Sequence, residues 1–246
     1  MTPPRDNSRM GRVLPDVAAV DVPLVAALIA ATAAFGEGRM AVAAFQLAVL
    51  AALRADDPRR VLAGHVVRAE EMAEDQTLAR MSWPERDYTV QIIHVAAGEV
   101  HPCHCHHNVT STQVVLTGTL RAREFDRVDA VDAETLRLRL LFDGTLRPGD
   151  FLQASDLSRN VHWFAAGEAP ATMLNFNIRG YERETFWPLE TRPLGRRLLD
   201  ATEFAGDALV QGRILAPEAA YAAFGGRPLD DFPMPLAPAE TRPRSL

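Results

Sequence analysis

The sequence predicts a β-sandwich or small β-barrel preceded by an α-helical region. Three observations predict it. The early part of the chain holds long, Ala-rich apolar runs separated by turn residues; from about residue 82 the runs become short, alternating and β-rich; and Gly or Pro-Gly turn signals recur between them. Many short strands with regular turns mark sandwiches and small barrels. The chain has 246 residues, 48% hydrophobic and 24% charged, enough for one ordinary domain with additions or two small ones.

Residues 1–16 are polar and Pro-rich and are expected to form a flexible tail. Residues 17–81 are expected to be helical. Val22–Phe35 and Met40–Arg54 are apolar runs separated by Gly36-Glu37-Gly38, the signal of a helical hairpin. Asp57 before Pro58 predicts the N-cap and first turn of a third helix. Ser82-Trp83-Pro84 then breaks the pattern, and strands are expected over 82–182, at Tyr88–Val95, Gln113–Leu120, Thr135–Phe142 and Ala171–Ile178. Residues 183–246 are expected to be a mostly irregular C-terminal extension with one short helix at Pro217–Phe224.

Charge and composition exclude several function classes. All 26 basic residues are arginine, against 32 Asp and Glu, for a net charge of −6. No basic field points to nucleic acid. The lack of lysine rules out a Schiff-base amine and a phosphate loop of the GxxxxGK[ST] type. Val22–Phe35 is too short to span a bilayer, so no membrane partner is expected, and the N-terminal arginines are not followed by a signal-peptide core. Cys103 and Cys105 are separated by a single residue, and a disulfide between them is not expected. They are expected to be small buried side chains in a protein of a reducing compartment, the cytoplasm.

The chemistry concentrates in Gly98-Glu-Val-His101-Pro-Cys-His104-Cys-His106-His107, which holds four of the seven histidines. Side chains at i and i+2 of a strand share a face, so His104 and His106 can grip one metal ion while Cys103, Cys105 and His107 point away. Gly98, His104, His106 and Gly118 also fit the first motif of the cupin superfamily: glycine, five residues, His-x-His, three or four residues, Glu, six residues, Gly. The chain resembles that superfamily over about 100 residues. The motif's glutamate position falls on Ser111. The second motif brings a third histidine on a later strand after a Pro-x-Gly turn; here Arg147-Pro148-Gly149-Asp150 opens that region and His162 is the histidine available, with spacing about two residues longer than the pattern.

The resemblance implies an all-β cupin barrel, jelly-roll-like, with the helical region added. It implies a three-histidine, glutamate-free metal site at His104, His106 and His162. Three neutral imidazoles leave a divalent ion at +2 with a face open to other ligands. The variant resembles thiol dioxygenases and diketone-cleaving cupins, which implies ferrous iron, a small anionic substrate (thiol, enolate or carboxylate) and O2. Three imidazoles also accept Zn, Ni, Mn or Cu. Two alternatives stay open: a non-catalytic metal- or small-molecule-binding or sensing module, and a non-redox isomerase or lyase using the metal as a Lewis acid.

Ser111 and Gln113 share one strand face, and Asn175, Asn177 and Arg179 alternate with apolar neighbours. On an antiparallel strand such a polar face is ordinarily solvent; in a cupin it would be a pocket wall. Arg121 or Arg179 would pair with a substrate carboxylate, and Tyr181 would supply a hydroxyl. His101 and His107 are expected outside the ligand set. The apolar N-terminal helices and the cupin resemblance leave a homodimer open.

Overall fold

The computed structural model describes residues 15–17, 21–37, 39–83, 86–107, 109–155, 157–179 and 195–246. The expected tail up to residue 14, Gly38 of the hairpin turn and Tyr181 fall outside these. In chain order the elements are β1 (Pro15–Val17), α1 (Pro23–Gly36), α2 (Val42–Ala55), α3 (Pro58–Val61), α4 (Ala63–Met72), β2 (Gln76–Trp83) and β3 (Arg86–Val95). Then come β4 (Val100–His107), β5 (Val109–Thr117), β6 (Leu120–Ala130), β7 (Thr135–Leu146), β8 (Asp150–Ala154), β9 (Val161–Ala166) and β10 (Ala171–Arg179). The chain ends with β11 (Gly195–Gly206), β12 (Leu209–Leu215), α5 (Pro217–Phe224) and β13 (Arg244–Ser245).

The strands from β3 to β10 form two antiparallel sheets, β3-β10-β5-β8 and β4-β9-β6-β7. That order is a double-sheet jelly roll, which is the expected fold class. β1, β2 and β13 extend the first sheet to seven strands; β11 and β12 join the free edges of β4 and β7 and close the second sheet into a six-stranded ring.

Three apolar layers result. Helix residues Leu28, Phe45 and Leu53 pack on the outer face of the first sheet, against Tyr88, Val90, Leu174 and Phe176. Phe45 stacks on Phe35 at 4.6 Å and reaches Phe176 at 5.7 Å. Between the two sheets lie Val95, Val115, Ala122, Phe164, Ala166 and Met173. Inside the closed ring lie Cys103, Cys105, Phe125, Leu138, Trp163 and Val210, with Phe224 of α5 packed on them.

Local chemistry places the turns. Asp57 caps α3 by accepting the Arg59 N–H at 3.0 Å, as its position before Pro58 predicts. Gly118 turns β5 into β6 at φ +69°, and a Cβ there would sit 2.4 Å from the Pro170 carbonyl oxygen. Only glycine fits such a turn without displacing its neighbour.

Two expectations are corrected. Helix ends at Met72, and Gln76–Trp83 is a strand paired with β3 rather than helix up to residue 81. The C-terminal region is not mostly irregular: β11 and β12 form a hairpin that completes the ring, although α5 falls where a short helix is expected. In both cases sheet pairing decides the outcome, with the adjacent β3 for Gln76–Trp83 and with the distant β4 and β7 for β11 and β12, and local propensity is a weak guide to such pairing.

Candidate metal centre

β4 and β9 are neighbours in the second sheet, and His104 lies directly opposite His162. Directly opposed residues share a face. His106 joins them two residues along β4. The ligand atoms of His104, His106 and His162 all lie within 4.8 Å of one another, the one such group of His, Cys, Asp or Glu among the described residues. His106 Nε2 and His162 Nε2 are 3.4 Å apart. Nitrogen ligands at 2.0–2.1 Å on one ion, at right-angled to tetrahedral spacing, are roughly 2.9–3.4 Å apart. The His106–His162 pair falls in that range, and the three donors together could hold one metal ion.

The backbone prepares the donors. Between His101 and His104 the register of β4 slips against β9. This one-residue bulge lies over Pro102 and Cys103, and proline's missing N–H suits such a position. The bulge turns the Pro102 carbonyl toward the His104 ring, with Nδ1 2.7 Å from that oxygen. A carbonyl only accepts, so Nδ1 carries the hydrogen and Nε2 keeps its lone pair for a metal. Asn160, itself buried, accepts the His106 backbone N–H at 3.3 Å and donates to the Ser155 carbonyl at 3.1 Å, tying β4 to the loop before β9.

The bulge also brings His101 to the His104 face. There its ring stacks on Phe164 at 4.4 Å and its Nε2 lies 3.0 Å from a Glu99 carboxylate oxygen. It stays outside the three-histidine group, as expected. Cys103 and Cys105 point into the ring core on the opposite face, also as expected. The side chain of His107 is not among those described.

The cluster lies between the two sheets, not within the closed ring. Across from it is the inner face of the first sheet, with two consecutive cross-strand rows of polar residues. One row is Thr89, Asn177 and Ser111, and the next is Gln91, Asn175 and Gln113. Ser111, Asn175 and Asn177 are buried, so the alternating polar face of β10 is an interior wall. The following row, Ile93, Met173 and Val115, is apolar and belongs to the layer between the sheets. Gln113 Oε1 and Asn177 Oδ1 are buried without a hydrogen-bond partner.

The remaining candidates sit elsewhere. Arg121 is corrected: it pairs with Ala165, on the ring-core face of β6, and its guanidinium is held by Asp143 and Asp230. It is not part of the wall. Arg179 ends β10 opposite Asp87 and Val109; its side chain is not described.

Sequence reasoning missed Thr89, Gln91, Asn160 and Glu124. Glu124 lies opposite His162 on β6 and is almost fully buried. Its carboxylate is taken by Arg159 at 3.0 Å and Arg244 at 2.8 Å. Burial pushes this carboxyl above its usual range, and the two guanidiniums pull it back part of the way. These partners explain why a buried acid next to His162 does not join the histidines.

No protein-family model matches the sequence, and no curated protein matches it. Among solved structures it is similar to procruciferin, an 11S globulin from Brassica napus, at 9% identity over 46% of this chain and 22% of that one, with a TM-score of 0.30. An oxalate oxidase in complex with glycolate aligns at 18% identity over 39% of this chain and 44% of that one, TM-score 0.29. A putative sugar phosphate isomerase from Acidithiobacillus ferrooxidans aligns at 18% over 37% of this chain and 50% of that one, TM-score 0.27. The aligned region spans no more than half of these solved chains. Likenesses of this size add nothing to the strand order, which carries the fold by itself.

Proposed function

We propose that the protein is a non-haem iron(II) dioxygenase acting on a small anionic substrate, a thiol, enolate or carboxylate, through His104, His106 and His162. The donor set supports this reading: three imidazoles converge from two adjacent strands with no carboxylate among them. A neutral set leaves an iron ion its full double charge, which an anionic substrate balances. Bound there, ferrous iron would supply the redox chemistry with O2. The chain's own part is positioning. The Pro102 carbonyl aims His104 Nε2, Asn160 fixes the strand that carries His106, and Glu124 is kept away from the group by Arg159 and Arg244. Phe164, Met173 and Val115 keep the inner end of the interlayer apolar.

Protein purified without oxygen and loaded with iron should consume O2 with members of a panel of thiols and diketones, and His162→Ala should consume none. Iron-loaded protein inert toward the whole panel would overturn the dioxygenase reading. Turnover independent of O2 with zinc, nickel or manganese would replace it with Lewis-acid chemistry.

A further inference from the structure

The wall opposite the histidines carries information about the substrate that the metal group does not. The six residues of its two polar rows are two hydroxyls and four carboxamides, and not one carries a charge. Counted from the turns that join the sheets, the rows lie at the depth of the histidines. Ala166 and Ala171 flank the β9–β10 turn, so His162 and Asn175 stand equally far from it on facing sheets. Packed sheets are about 10 Å apart, which leaves room for only a few heavy atoms between wall and imidazoles.

Buried polar groups are almost always hydrogen-bonded, and each one left without a partner costs about 1–3 kcal/mol. Asn177 is 8% exposed, and its Oδ1 has no partner; neither has Gln113 Oε1. These two carbonyl oxygens stand in consecutive same-face rows on neighbouring strands, two residue pairs apart. Both are acceptors, and what they lack is a donor. A second formal charge buried against these six residues would find no counter-charge among them and would be penalised more heavily than a neutral group.

We propose that this wall is the substrate's second anchoring site, and that it selects a mono-anionic chelate whose far end carries neutral hydroxyl donors. The inference rests on the three-histidine metal reading. Asn177 and Gln113 accept the hydroxyl hydrogens, and Ser111 and Asn175 line the same surface. A chelate with an apolar far end leaves the two carbonyls unpaired, and one with a second carboxylate sets it against six residues that offer no cationic side chain.

The test uses the full chain loaded with cobalt(II), whose visible spectrum reports a ligand entering the coordination sphere, with calorimetry for affinity. Lactate, glycerate and malate share one chelating hydroxy-acid head and differ at the far end: methyl, hydroxymethyl and carboxymethyl. Glycerate should bind roughly tenfold more tightly than lactate, as one hydrogen bond gained to an otherwise unpaired group requires, and malate more weakly than either. Glycerate has one far-end hydroxyl hydrogen, so the preference should collapse in whichever of Asn177→Leu and Gln113→Leu removes its acceptor, while cobalt binding stays unchanged. Cobalt bound but lactate equal to or tighter than glycerate, malate tightest, no chelate bound, or a preference that survives both substitutions would overturn the wall and leave the metal reading standing. No cobalt bound at all would overturn the metal reading, and the wall with it. The wild-type series decides the question even if a variant fails to fold.

Discussion

His104 and His162 face each other across β4 and β9 with ring centroids 4.3 Å apart and planes at 77°. The near-perpendicular arrangement keeps the rings from stacking flat and lets both aim nitrogens at one point. It depends on the bulge at Pro102 and Cys103, because a one-residue slip would send His104 to the ring-core face.

The bulge predicts a tautomer effect. Replacing His104 with Gln removes the ring nitrogen paired with the Pro102 carbonyl, and should lower metal affinity at least tenfold, as loss of a ligand or its orienting partner does. His101→Gln, which alters a ring outside the group, should leave affinity within about threefold. Metal titration followed by competition with a chelator checks both; equal losses would show that the two rings play the same part.

Asn160 predicts a coupled loss. Asn160→Ala removes the acceptor side chain of the His106 N–H and one of two donors to the Ser155 carbonyl in a buried site. Stability should fall by about 1–3 kcal/mol in urea unfolding, and metal affinity should fall with it. A stable variant with wild-type affinity would show that the loop does not set the position of β4.

The buried Glu124 predicts a pH signature. Its carboxyl lies above its usual range in the folded state through burial, offset in part by Arg244 and Arg159. Such a group adds stability that is complete in acid and is lost as pH rises through the folded-state value. Arg244→Met removes a compensating charge and raises the carboxyl further. The variant should match the parent most closely in acid and fall behind as pH rises through the parent's folded-state value. Unfolding curves at several pH values test this; a gap that narrows toward neutral pH would contradict the assignment.

Two motif glycines should respond differently. Gly98 and Gly118 both have φ near +70°, but a Cβ at Gly98 meets nothing within 4 Å, whereas at Gly118 it meets the Pro170 carbonyl at 2.4 Å. Gly98→Ala should cost about 1 kcal/mol, the backbone strain alone, and Gly118→Ala several times more. Equal costs in thermal unfolding would show that the crowding at Pro170 relaxes freely.

Much of the site was legible in the sequence because its chemistry is local. His104 and His106 are two residues apart, and strand alternation fixes their common face. The alternation of Asn175 and Asn177 was also legible, but alternation gives two faces and not which one is inside. Burial between sheets settles that, and it depends on the whole fold. Arg121 failed as a pocket residue for the same reason: it alternates out of phase with Ala122, and only Ala122 lies between the sheets. The β11–β12 hairpin was missed because it becomes part of a sheet by pairing with β4 and β7, edges formed elsewhere in the chain, and Gln76–Trp83 because its pairing with the neighbouring β3 outweighs its local pattern. Glu124 escaped notice because the arginines that neutralise it, Arg159 and Arg244, are 35 and 120 residues away.

The central claim is one divalent ion held by three imidazoles between the sheets. Elemental analysis of untagged protein from its native host, repeated on His104→Ala, His106→Ala and His162→Ala, tests it most directly. The account predicts close to one iron per wild-type chain and near-complete loss in each variant. A wild-type protein without a stoichiometric metal, or one whose metal content survives His162→Ala, would contradict it.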